Sequence, residues 1–242
     1  MIRLLAFAVL AKSPVISVNQ ASEVLDASFS SKPIPMMALL AAMAILPFAI
    51  LMLTSFSKIA VVLSIARSAM GSQQIPPTTV LTGLAVILSV HVMAPVFEDT
   101  FREGKAAFTH PQDMDGMLAA GATAAVPLRN FLVKHGHEED RAMFLDLARQ
   151  LRGETRAAEV QEADLVVIVP AFVISELKEA FQIGFLVFLP FLVLDMVIAN
   201  LLLALGMQSL SPTSVSLPFK LLLFVMVDGW HLLSQGLVLG YR

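Results

Sequence analysis

Of 242 residues, 57% are hydrophobic and 14% charged, where an ordinary soluble domain carries about 25% charge. With a mean hydropathy of +0.80, a single globular core cannot hide this much apolar surface, so lipid or partner subunits must cover it. The net charge of −3, with no basic stripe, excludes nucleic acid as a partner, and the lack of cysteine excludes disulfides, thiolate metal sites and cysteine nucleophiles.

Taken in order, residues 1–33 read as a lead-in, with a weak signal-like run at Met1–Ala11. Residues 34–97 read as a first apolar helical hairpin. Pro33–Ser57 carries no charge and holds Pro47, Gly71–Pro77 (GSQQIPP) is a turn, and Val80–Phe97 is the return helix. Residues 98–164 change character, with eight Lys/Arg and thirteen Asp/Glu in 67 residues. That segment reads as a soluble helical insert, expected to pack on the inserts of neighbouring subunits. Residues 165–242 read as a second long hairpin with a tip at 206–216. Its core, Ile183–Gly206, is a run of 24 residues with one charge, Asp195. At about 1.5 Å per residue the run can cross a bilayer core of about 30 Å. The expected fold class is therefore all-α: a helical membrane-complex protein with long kinked hairpins and a soluble helical insert.

Short-loop charge sets orientation. The 57–77 link carries Lys58 and Arg67 and no acid. This puts the link and the 207–216 tip in the cytoplasm, and the insert and both termini on the periplasmic side.

Charges within apolar helices need partners. Asp195, Lys220 and Asp228 are the deepest, and all three are read as subunit-interface residues. A fold-back about position 211 sets Asp195 level with Asp228, so Lys220 is expected to pair with Asp195 of the next subunit in a staggered ring. The alternative is an internal pair in an offset hairpin. Glu176, Lys178, Glu179 and Phe181 form a polar helical end read as a subunit contact, its bland counterpart being a turn with its charges in water. Met207, Gln208 and Leu210 occupy a tip that would line a constriction if several copies converged. His135 and His137, next to Glu138, Glu139 and Asp140, read as an exposed charged loop rather than a metal site. There is no Gly-x-Ser-x-Gly elbow and no phosphate-cradling loop. Neither enzymatic activity nor a cofactor is expected.

Three stretches, PPTTVLTGLAVILSVHVMAPVF, PAFVISELKEAFQIGFLVFLPFLVLDMVIA and LGMQSLSPTSVSLPFKLLLFVMVDGW, resemble the SctR/FliP family of type III secretion export-gate proteins in matching order from about residue 36 to 235. The resemblance implies a homopentamer at the bacterial inner membrane, joined by SctS/FliQ-like and SctT/FliR-like subunits. SctU/FlhB-like and SctV/FlhA-like proteins, inner rod or needle components and unfolded secreted substrates are its further implied partners. Asp195 and Lys220 fall on the family's FLxxD and LPFK positions, Glu176, Lys178, Phe181 and Gly184 on its SEL-K-AF-IGF motif, and Met207 on its Met-rich gasket loop. Gln208 and Ser209 depart from that loop, so Leu210 is expected to share its role. The weak leader-like run favours the injectisome branch over the flagellar one. The reading from a different class is a small ion-coupled membrane transporter.

Overall fold

The structure, a computed structural model, describes residues 33–72, 75–107 and 114–242. All but the last residue of the expected lead-in lies outside the described residues. The chain divides into a unit ending at Ala49 and a second from Ile50 to Arg242. The first, where described, is the uncharged start of helix α1 (Pro33–Met52), with Pro47 inside.

The second unit is helical throughout its ordered elements: α2 (Phe56–Ala69), α3 (Thr78–Ala107), α4 (Met114–Ala124), α5 (Val126–His135), α6 (Glu138–Arg152), α7 (Glu154–Ala157), α8 (Leu165–Ala204), α9 (Pro212–Met226) and α10 (Gly229–Leu239). No strand occurs among the described residues. Among the described residues two helices are long and apolar enough to cross a membrane, Thr78–Lys105 with mean hydropathy 2.1 and Leu165–Ala204 with 2.5; counting each bent helix pair as one span gives up to four. The apolar part of α3 continues without a break into the charged region, so the expected 97/98 boundary falls inside one helix. At 40 residues, α8 is roughly 60 Å long, about twice the thickness of a hydrocarbon core. Lipid alone cannot cover it.

Helix α2 is the hub. Its residues Ile59, Val62, Leu63, Ala66 and Ala69 are buried with Ala180 and Phe191 of α8. Small residues let the two backbones approach closely: a Cβ on Gly184 would come within 2.4 Å of Ile65 Cδ1. At the α2–α3 junction the Ser55 hydroxyl donates to Ser89 Oγ (3.1 Å) and Ser89 Oγ donates to Thr54 Oγ1 (3.4 Å).

In the insert, α6 opens on Glu138, Glu139 and Asp140, ends on Arg149 and Arg152, and stops at Gly153 with φ 70°. Acids first and bases last suit the helix dipole, and the positive φ suits glycine. The insert packs on its own chain. Phe131 and Leu132 of α5 meet Ile168 and Phe172 of α8, while Val160 and Ala148 enclose Val167.

Candidate functional site

The polar groups of the long helices gather in two clusters. The first forms where α2, α6 and the C-terminal tail converge on the amino-terminal half of α8. Lys58 of α2 is 2% exposed and Glu176 of α8 is fully buried. The lysine Nζ lies 2.6 Å from Glu179 Oε2 and 3.0 Å from Glu176 Oε1. It donates to Glu179 Oε2 and forms an ion pair with Glu176 Oε1. Nζ also stands 4.0 Å over the Tyr241 ring. The Tyr241 hydroxyl donates to Glu176 Oε2. Burial, reinforced by the Glu176 charge, pushes the Tyr241 pKa up, so the phenol stays a donor.

From α6 the cluster extends outward. His137 Nε2 is 2.8 Å from Glu179 Oε1, and the His137 backbone N–H donates to Ser175 Oγ at 2.8 Å. Ser175 Oγ in turn donates to Asp140 Oδ2 at 2.7 Å, whose other oxygen takes Lys178. Burial raises the Asp140 pKa, but the bonds from Lys178 and Ser175 outweigh it and hold the carboxyl below its ordinary range. His135 stacks near Phe131 (4.6 Å) and Tyr241 (5.0 Å). Burial, with Lys134 and Lys58 nearby and Glu179 opposing, pushes it down to about 4.

Glu176, Lys178 and Glu179 all have charge partners within the chain; Glu176 is buried and Lys178 stays half exposed. Lys58 is not a charge on a loop but a buried ion, so of the two link cations only Arg67 still speaks to orientation. The pattern hid this because Lys58 and Tyr241 lie more than 60 residues from Glu176. Phe181, by contrast, points outward at 62% exposure.

The second cluster closes the hairpin of α8 and α9. Lys220 Nζ lies 2.5 Å from Asp195 Oδ2, and Ser216 Oγ donates to Asp195 Oδ1 at 2.6 Å. Of the two pairings open to the sequence, the chain makes the internal one. Gly206 explains the offset. It ends α8 at φ 71°, with its own N–H on Leu203 O (3.0 Å) and the Met207 N–H on Leu202 O (2.9 Å), the Schellman arrangement that glycine favours. The fold-back is therefore centred near 208 rather than 211, which brings 195 opposite 220 and leaves Asp228 well beyond. Asp228 lies at a break between α9 and α10 that sequence reading passed over, although Asp228-Gly229 is a turn dipeptide. Met207, Gln208 and Leu210 are exposed at the tip. Among the described residues no three His, Asp or Glu side chains are grouped to hold a metal.

A sequence profile of the FliP family matches residues 39–237. The hypersensitivity response secretion protein HrcR of Ralstonia nicotianae is 45% identical over 203 residues, 83% of this chain and 94% of the relative. The Yop proteins translocation protein R of Yersinia pestis is 44% identical over 205 residues, 84% and 93% of the two chains. The flagellar biosynthetic protein FliP of Pectobacterium carotovorum is 45% identical over 206 residues, 84% and 76%. The long apolar α8, its motif residues and nearly the whole described chain fall within these matches, and the chain belongs to the FliP family of export-apparatus proteins of type III secretion and flagellar systems.

Proposed function

We propose that the protein is a core subunit of a type III secretion export gate. In this reading five copies, joined by SctS/FliQ-like and SctT/FliR-like subunits, form a ring-like channel at the bacterial inner membrane through which unfolded substrates pass toward the rod or needle. SctU/FlhB-like and SctV/FlhA-like proteins complete the apparatus. One contrast carries the proposal. The charges of α8 are closed inside the chain, while Phe185, Leu186, Val193, Met196 and Val197 along the same helix are exposed. A self-contained polar interior with an apolar exterior longer than a bilayer is thick calls for protein neighbours. The domain roles proposed are a first hairpin (34–97), a periplasmic insert (98–164), and a second hairpin (165–242) with a pore-facing tip.

An ion-coupled transporter would need Asp195 free to take its ion, and Lys220 and Ser216 occupy both its oxygens. The deciding experiment is native mass spectrometry and imaging of the chain co-expressed with its companion subunits. A tapering ring holding five copies is expected. A stable monomer that moves a solute by itself in vesicles would refute the reading. Orientation can be checked by single cysteines at Leu151 and Gln208, since the chain has none of its own: the reagent should reach them from opposite sides of the membrane.

A further inference from the structure

Where α2 ends, it meets the middle of α8 and the start of α9 around a cavity of about 430 Å³, whose walls include Arg67, Ser72, Phe188, Asp195, Thr213 and Lys220. Gly71, at φ 76°, brings the turn after α2 against Lys220: a Cβ there would lie 3.7 Å from Nζ. The hydrogen-bonding groups of this cavity are out of balance. Arg67 spends one N–H on the Thr78 hydroxyl at 2.9 Å, and a guanidinium has four more to give. Lys220 gives one ammonium proton to Asp195 Oδ2. Ser72 Oγ accepts from the Ile75 N–H at 3.1 Å, and the Thr213 hydroxyl is exposed. Neither hydroxyl proton, nor any further N–H of Arg67 or Lys220, has an acceptor among the described residues. The one acid, Asp195, already has both oxygens engaged, by Lys220 and Ser216. Donors are in excess and no side-chain acceptor is spare.

Charge points the same way. Lys220 and Asp195 cancel, which leaves the positive unit of Arg67, and the first turn of α9 adds the positive end of its dipole. A group with several acceptor oxygens and a single negative charge fits both counts, as a phosphodiester does. The volume exceeds what a bare phosphate ion needs and lies in the range of about 300–1,000 Å³ typical of sites for small organic ligands. Phe188 gives the cavity an apolar wall. Met196 and Phe219, next in sequence to the ion pair, are exposed apolar side chains. In the membrane placement proposed above, the turn between α2 and α3 lies at the cytoplasmic surface. Lipid phosphates lie at that level, and basic pockets between helices on that side suit anionic headgroups.

We propose that this cavity binds the phosphodiester headgroup of an anionic phospholipid, with Arg67 and Lys220 facing the phosphate and Ser72 and Thr213 donating to its oxygens. The proposal rests on the membrane placement above and names a ligand within it. The site is complete in one chain, so its occupancy does not depend on a ring.

The test uses the full chain co-expressed with its gate companions and supplied with phosphatidylglycerol or phosphatidylcholine, the retained lipid being counted by native mass spectrometry. Phosphatidylglycerol should be retained about tenfold more than phosphatidylcholine, whose phosphate is already neutralised by its own cation. Arg67→Gln should lower that retention about tenfold, and Arg67→Lys should restore part of it. Thr78→Val, which breaks the Arg67–Thr78 bond but keeps the cation, should leave retention unchanged. Thr213→Val should lower it about threefold, and it decides the matter should Arg67→Gln fail to fold. Equal retention of the two lipids, or retention unchanged in both Arg67→Gln and Thr213→Val, would overturn the proposal. Displacement of the lipid by inorganic phosphate alone would reassign the cavity to a free anion, and a photo-crosslinker at Thr213 that captures only a companion subunit would reassign it to a protein contact; either overturns the headgroup. A chain that forms no ring yet keeps its phosphatidylglycerol would refute the assembly reading and leave this site standing.

Discussion

Lys58 serves two carboxylates and an aromatic ring at once, and that asymmetry sets what its loss would do. Removing a buried cation leaves Glu176 and Glu179 one helical turn apart with only Tyr241 and His137 as polar partners. Lys58→Met should therefore cost about 3–5 kcal/mol, seen as a lower unfolding midpoint in detergent. Adding Glu176→Gln removes one of the stranded charges and should recover part of the loss; no recovery would mean that Lys58 acts through packing instead. His135 makes the nearby region sensitive to acid. Its folded-state pKa of about 4 lies below the ordinary 6.5, so between those values the unfolded chain binds a proton that the folded chain refuses. Its contribution is complete above the upper value and declines as pH falls toward the lower one. His135→Gln should flatten the melting midpoint between about pH 7 and 5, and an unchanged slope would exclude this residue. Asp140, with its carboxyl held low, keeps its contribution until the pH drops further, through its depressed value.

The α8–α9 hairpin shows how far an element can be read from sequence. The length of α8, its two internal prolines, Pro170 and Pro190, and its stop at Gly206 are visible as an apolar run bounded by a glycine. Register is not visible from the run, because it depends on the few residues of the turn. Moving the centre of the fold-back by about four residues moves each partner by about eight, enough to change Asp195's level from Asp228 to Lys220. The charged turn within α8 was equally misleading: SELKE looks like a solvated turn until α2, α6 and Tyr241 close over it, and none of those contacts is local. The internal pair has a direct consequence for co-expression. If Asp195 and Lys220 close each hairpin within its own chain, a mixture of Asp195→Lys chains and Lys220→Asp chains should assemble no better than either alone. The double variant, carrying both changes in one chain, should assemble better than either single one. Rescue in the mixture, measured as ring yield on native gels, would return the pair to the subunit interface.

Across the whole molecule, charge is satisfied inside and grease is left outside, the reverse of a soluble protein. The membrane class, the helical fold and the family resemblance were legible because composition and long motifs carry them. The buried ion network was not, because burial of Lys58 depends on packing between helices far apart in sequence. The same inside-out logic bears on the tip. Met207 is 48% exposed and follows a left-handed glycine. In the proposed gate, its flexible thioether suits a contact that yields to a passing polypeptide and closes again behind it. In the assembled gate, Met207→Gly should raise ion conductance across the membrane while leaving ring yield unchanged, because the tip adds no buried contact within the subunit. Met207→Leu, similar in volume though stiffer, should leak less than Met207→Gly and slow secretion. Gln208→Met should tighten the resting seal by adding a second deformable side chain. Conductance that stays at the wild-type level in Met207→Gly would remove this residue from the closure and leave Leu210 as the apolar group at the tip able to provide it.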